Sequence, residues 1–161
     1  MRKAIRYLLP LLLIASLLCG CGAQEKTFQC MELKIVLTSE FKDLSEEKAG
    51  KDFTFLYASE DIGIAGIREE KSGILQQYEG LTLEGYAELT AKAAGVVPNL
   101  CSYQGIPYYT YTSVLEDVEF TYLAAAYDDG YSYWLLQCYC QSSRYESLSP
   151  VIWQYLDSVR F

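Results

Sequence analysis

The 161-residue chain predicts an α+β fold, an antiparallel sheet with helices packed on it. Three observations predict it. Runs rich in aromatic and β-branched residues recur along the chain with alternating polarity. One clear amphipathic helix separates an early group of such runs from a later one. A second amphipathic stretch closes the chain.

The first element is a leader. Arg2, Lys3 and Arg6 make a basic start, and an apolar run follows from Tyr7 to Leu18. That run is short of the roughly 20 residues a bilayer span needs, so it reads as a secretory signal. Leu18, Cys19, Gly20 and Cys21 look like a lipobox: Leu at −3, a small residue at −1, and the acceptor Cys at +1. With Cys19 at +1, bulky Leu18 would stand at the cut. The expectation is a signal peptide over 1–20, a lipidated short linker over 21–27 with the lipid on Cys21, and one globular domain over 28–161. Cys19 leaves with the signal.

Phe28–Thr38 reads as a strand, and 39–50 as a polar turn region pinned by Phe41 and Leu44. Residues 51–59 and 61–70 read as two strands, with Phe53, Phe55 and Tyr57 on one face; 71–80 reads as a loop. Thr82 caps a helix whose apolar face is Leu83, Tyr86, Ala87, Thr90 and Ala94, and which Gly95 ends with Pro98 beyond. A short strand over 99–104 precedes strands at 106–116, 118–127 and 131–140. Asp128-Asp129-Gly130 signals a hairpin turn. A two-residue turn at Asp129-Gly130 would set Ala125 opposite Trp134. Ser149 and Pro150 open the closing helix, lined by Ile152, Tyr155, Leu156 and Val159. Ser143-x-x-Glu146 reads as a separate single turn before it.

Composition narrows function. Cutting at residue 20 removes three of 13 basic residues and none of 21 acidic ones, leaving 10 − 21 = −11. Such a domain disfavours nucleic acid, whose binding rests on cationic contacts to phosphate. Histidine is absent, which removes Ser-His and Cys-His nucleophile pairs and the usual zinc sites. No cofactor motif is present and no catalysis is expected; a carboxylate-based envelope hydrolase is the alternative.

The segments "LKIVLTSEFKDLSEE", "LTLEGYAELTAKAAG", "YSYWLLQCYC" and "VIWQYLDSVRF" resemble, in this order, the Mog/PsbP-like family, including its DcrB-type bacterial lipoproteins. Trp134 and the terminal Ser158-Val159-Arg160-Phe161 carry most of the likeness. The resemblance implies an α/β/α sandwich with a central antiparallel sheet flanked by helices. It implies no shared active site: its members are binding and assembly factors, among them a photosystem subunit, a Ran-binding protein and secretion chaperones. The function expected is therefore a lipid-anchored binding or adaptor protein. It would sit on the extracytoplasmic side of a bacterial cell envelope membrane, with a protein or small-molecule partner.

Three sets of residues are candidates. Cys138 and Cys140 share a strand face with Trp134 and Leu136, as a thiolate metal or redox site or as buried thiols; a disulfide to Cys30 or Cys101 is the third possibility. Tyr108, Tyr109 and Tyr111, with Tyr103 and Tyr122 near in sequence, are a ligand surface or core packing, Tyr109 and Tyr111 on one face and Tyr108 on the other. Glu116, Asp117, Glu119, Asp128 and Asp129 are a cation site, a catalytic carboxylate pair, or turn residues.

The lipid anchor is directly testable. Cys21→Ser should move the protein from the membrane pellet to the soluble fraction; retention in the pellet contradicts the assignment.

Overall fold

The computed structural model describes residues 24–48 and 53–161. The expected signal peptide, Cys19 and Cys21 lie outside them. The chain opens on a hairpin of β1 (Glu25–Cys30) and β2 (Leu33–Thr38), a two-stranded sheet of its own. Here the single strand expected over 28–38 folds back at Met31, whose φ is 52°. No Gly, Asn or Pro marks that turn. The strand also starts at Glu25, so part of the expected linker is sheet.

The main sheet holds β3 (Lys42–Asp43), β4 (Phe55–Ala58), β5 (Gly63–Glu70), β6 (Cys101–Tyr103), β7 (Ile106–Leu115), β8 (Val118–Asp128) and β9 (Ser132–Gln141). Their spatial order is β3-β4-β5-β9-β8-β7-β6 and every pairing is antiparallel. Helices are α1 (Ser45–Lys48), α2 (Lys71–Ile74), α3 (Leu83–Ala93) and α4 (Tyr145–Asp157). The short α2 replaces the start of the loop expected over 71–80.

Strand alternation divides the core in two. On one face Phe55, Tyr57, Ile64, Leu123, Tyr127, Trp134 and Leu136 pack under the β1–β2 hairpin and α4, which bring Phe28, Ile35, Ile152 and Leu156. On the other face Tyr109, Ala124, Ala126, Tyr133 and Leu135 lie under Tyr86, Ala87 and Ala91 of α3. The layers are helix and hairpin, sheet, helix, as an α/β/α sandwich requires. Gly66 makes room in the first layer: a Cβ there would stand 2.0 Å from the Phe55 ring.

Helix α3 matches its reading at both ends, though Ala91, not the exposed cap residue Ala94, completes its buried face. Thr82 Oγ1 accepts from Gly85 N at 3.1 Å, and Gly95 ends the helix at φ 72°. Helix α4 does not match. It starts at Tyr145, four residues before the expected cap, and carries Pro150 inside. The proline cannot donate to the Glu146 carbonyl; instead the Ser149 hydroxyl donates to that oxygen at 3.3 Å. A residue read as the cap thus repairs an interior break.

The β8–β9 turn also sits one residue later than expected. Asp129 N donates to Ser132 O, so Tyr127 faces Trp134 and Ala125 faces Leu136. The Asp129 carboxylate explains the shift: Oδ1 accepts from Tyr131 N at 2.8 Å and Ser132 N at 2.6 Å, and Oδ2 from Trp134 Nε1 at 2.8 Å. Burial alone would raise this carboxyl, but the three hydrogen bonds and nearby Arg68 outweigh it and hold it below the usual range. Trp134 is fully buried, so removing its acceptor strands an indole N–H.

Asp129→Ala should lower unfolding stability by about 2–4 kcal/mol in urea melts, with Asp129→Asn losing less. A loss within the spread of ordinary surface substitutions would show that the turn does not depend on this carboxylate.

Candidate functional site

Helix α3 is too short for the sheet it covers. Eleven residues of helix extend about 16 Å, whereas the eleven residues of β8 span about 33 Å. The helix lies over the end near Tyr133 and stops near Tyr109, where the tyrosine hydroxyl donates to Thr90 Oγ1 at 3.4 Å. Beyond it the sheet continues with no helix among the described residues above it.

On this uncovered half, Tyr111 of β7 pairs with Tyr122 of β8, which pairs with Tyr139 of β9. Their rings stack in sequence, with centroids 4.8 Å and then 5.4 Å apart. Phe120 meets Tyr139 edge-on at 6.4 Å. The strip continues onto Gly63 of β5, where a Cβ would come within 2.1 Å of the Tyr139 ring; only glycine lets the ring lie there. Toward the β7–β8 turn, the same face carries Leu115, 61% exposed, and its partner Val118, 38% exposed.

At its inner end the strip meets a cavity of about 120 Å³ between Phe120, Tyr139 and the β4–β5 turn, including Glu60 and Asp61. Asp61 is held there by a bidentate pair with Arg144. A larger open cleft, about 700 Å³, continues past Glu60 to Glu40 and Lys42. Burial pushes the Tyr111 hydroxyl up to about 12, with Tyr109 and Tyr122 adding to it, and raises Tyr122 and Tyr139 as well. At neutral pH the strip is therefore an uncharged apolar surface edged with hydroxyls.

The tyrosine trio expected from sequence is divided. Tyr109 is core beneath α3, and Tyr108 lies on the opposite face, edge-on to Trp153 at 4.8 Å. Tyr103 stacks on the same tryptophan at 4.2 Å. Tyr111 alone joins the open strip. Tyr139 was not among the expected residues: it stands far along the chain from Tyr111, and only the β8–β9 register brings it beside Tyr122.

Cys138 and Cys140 do share a face with Trp134 and Leu136, and both are buried there. Burial raises both thiols, so they stay protonated and make poor metal ligands or redox groups. Cys30, Cys101, Cys138 and Cys140 are all free thiols. Among the described residues, no three Cys, Asp or Glu side chains converge as a ligand set.

The acids separate as well. Glu116 and Asp117 form the β7–β8 turn, with φ of 50° and 65°, and Glu119 follows. Asp128 and Asp129 stand at the other end of β8, about 30 Å away. There Asp128 pairs with Lys71 at 2.6 Å and Asp129 holds its turn. The two groups cannot share a cation or act as one catalytic pair.

In an alkaline titration, Tyr111 should ionise near pH 12 in the folded protein. The sign follows from the raised value. The fold favours the protonated hydroxyl, so this contribution is complete below the unfolded value of 10.0 and is lost as pH rises through about 12. Tyr111→Phe should flatten the fall in stability across that window and remove phenolate absorbance only at its upper end. Loss of signal near pH 10 instead would place Tyr111 in open solvent.

No protein-family model and no curated protein matches the chain. Solved structures do. The solution structure of cyanobacterial PsbP (CyanoP) from Synechocystis sp. PCC 6803 aligns with a TM-score of 0.57 at 14% identity, covering 88% of this chain and 95% of that one. A crystal structure from Bacteroides thetaiotaomicron VPI-5482 aligns with a TM-score of 0.51 at 10% identity. It matches over 86% of this chain, which spans about half of that protein (48%). At these identities the likeness is one of architecture, and the chain has a PsbP-like α+β fold.

Proposed function

We propose that the protein is a DcrB-type lipoprotein: a lipid-anchored binding or adaptor protein on the extracytoplasmic side of a bacterial envelope membrane, with its lipid on Cys21. The observation that carries the binding role is the half-sheet left open beyond α3. Half-buried Tyr111, Phe120, Tyr122 and Tyr139, with exposed Leu115 and Val118, form a contiguous apolar face of the kind that marks an interaction site. The anchor rests on the leader and lipobox. No helix of the described residues is long and apolar enough to cross a membrane, and acyl chains on Cys21 would supply the attachment.

Gln24 stands three residues after Cys21, a reach of about 10 Å at most. Gln24 O accepts from Ser39 N, and the neighbouring Glu40 lines the large cleft with Asp61. Asp61 in turn lines the small cavity with Phe120 and Tyr139. A partner in or near the same membrane would suit a protein held there by a lipid on Cys21. A chain with net charge −8 is suited to neither nucleic acid nor anionic lipid.

A photo-reactive benzophenone side chain in place of Tyr122, in the full-length anchored protein in its own cell, should give a discrete protein adduct. The same group in place of exposed Glu84 on α3 should not. Absence of any adduct at position 122 would remove the binding role from this face.

A further inference from the structure

The sheet has two edges, and they are treated differently. At the β4 edge, β3 pairs with Tyr57 and Ala58, Leu44 N donates to Leu56 O at 2.8 Å, and Leu56 N donates to Ser45 Oγ at 3.0 Å. That edge is closed. At the other edge β6 reaches only Ile106, Pro107 and Tyr108 of the ten-residue β7. Residues Tyr109–Leu115 have β8 on one side and, among the described residues, no strand on the other.

The hydrogen-bonding direction follows from the turn. Leu115 and Val118 flank a two-residue turn, Glu116–Asp117, with both φ positive, the type I′ form that leaves its flanking residues mutually bonded. Alternate residues then point away from β8: Thr110, Thr112 and Val114 turn N–H and C=O outward. Their side chains are exposed, and Val114 is 65% exposed. The stretch Thr110-Tyr-Thr-Ser-Val-Leu115 contains no Lys, no Pro and no other charge. Open edges are normally guarded by such residues. This one is unguarded and adjoins the aromatic strip.

We propose that β7 binds an extended, basic segment of a partner protein by strand addition at Thr110–Val114. This rests on the reading of the aromatic face as the binding surface and names what that surface receives. Backbone groups of the added strand satisfy Thr110, Thr112 and Val114, and alternate side chains lie along Tyr111 and Leu115. Charge selects the sign. Glu116, Asp117 and Glu119 cluster at the end of this edge, and none of the salt bridges among the described residues uses them. A second copy of a chain with net charge −8 is a poor occupant for the same reason.

The probes are a seven-residue peptide alternating Val and Lys, and its Glu-for-Lys counterpart, titrated into the domain and followed by backbone amide shifts. The Lys peptide should perturb Thr110, Thr112 and Val114 and bind about tenfold or more tighter than the Glu peptide. Thr112→Pro removes one outward N–H and no bond to β8; it should leave the melting temperature close to wild type and weaken the Lys peptide about tenfold or more. Val114→Lys, at an exposed position, should do the same if the proline variant folds poorly. Failure of the Lys peptide to bind, equal binding of the Glu peptide, or binding untouched by both variants overturns the proposal. So does a concentration-dependent dimer lost in Thr112→Pro, which would assign the edge to a second copy. In cells, a Tyr122 adduct that persists in Thr112→Pro overturns strand addition while leaving the binding face intact. A missing adduct in the unsubstituted background removes the face itself.

Discussion

The Asp129 carboxylate is the contact on which the rest of the structure depends. It gathers two backbone N–H groups of the β8–β9 turn and the indole N–H of Trp134 onto one acidic side chain. That fixes the register of the two central strands, and the register decides which side chains reach which layer. Trp134, Leu136, Cys138 and Cys140 go under α4 and the β1–β2 hairpin; Tyr133, Leu135 and Tyr139 go to the α3 side. A slip of one residue would exchange the two sets, leaving Trp134 with no layer to fill.

From that partition the unequal cover of the two faces follows. One face receives a thirteen-residue helix and a six-residue-per-strand hairpin, which bury Phe55, Tyr57, Tyr127 and Trp134. The other receives eleven-residue α3, with Ile74 of α2 and Leu81, Val96 and Leu100 of the flanking segments, and long strands outrun them. Tyr111, Tyr122 and Tyr139 satisfy one another by stacking rather than by a covering element. The half-covered layer and the stacked strip are thus one consequence of strand length against helix length; the open edge of β7 lies beside them because β6 is short.

Much of the layering was legible from residue pattern. Helix α3, its Thr82 cap and its Gly95 end are local features with local signals, and so is the alternation that put Tyr109 and Tyr111 on one face. The faces of β8 and β9 also came out correctly although the pairing did not: the expected and observed registers differ by two, which preserves the side of every residue. What could not be read depended on contacts distant in sequence or on turns without turn residues. Met31 turns the first hairpin with no glycine. Pro150 reads as a helix start, but Ser149 makes it tolerable inside. The aromatic strip needs Tyr139 beside Tyr122, and that needs the Asp129 turn placed one residue later than Asp-Gly suggests. The open edge is the hardest of all, because it depends on β6 stopping at three residues.

Amide hydrogen exchange along β7 in the isolated domain tests the central claim most directly: the fold leaves one sheet edge unpaired beside the aromatic face. The account predicts alternation, with fast exchange at Thr110, Thr112 and Val114 and slow exchange at Tyr111 and Ser113, whose N–H groups face β8. Uniform protection across Thr110–Val114 would contradict it, showing the edge already closed and the surface assigned to binding already occupied by the protein itself.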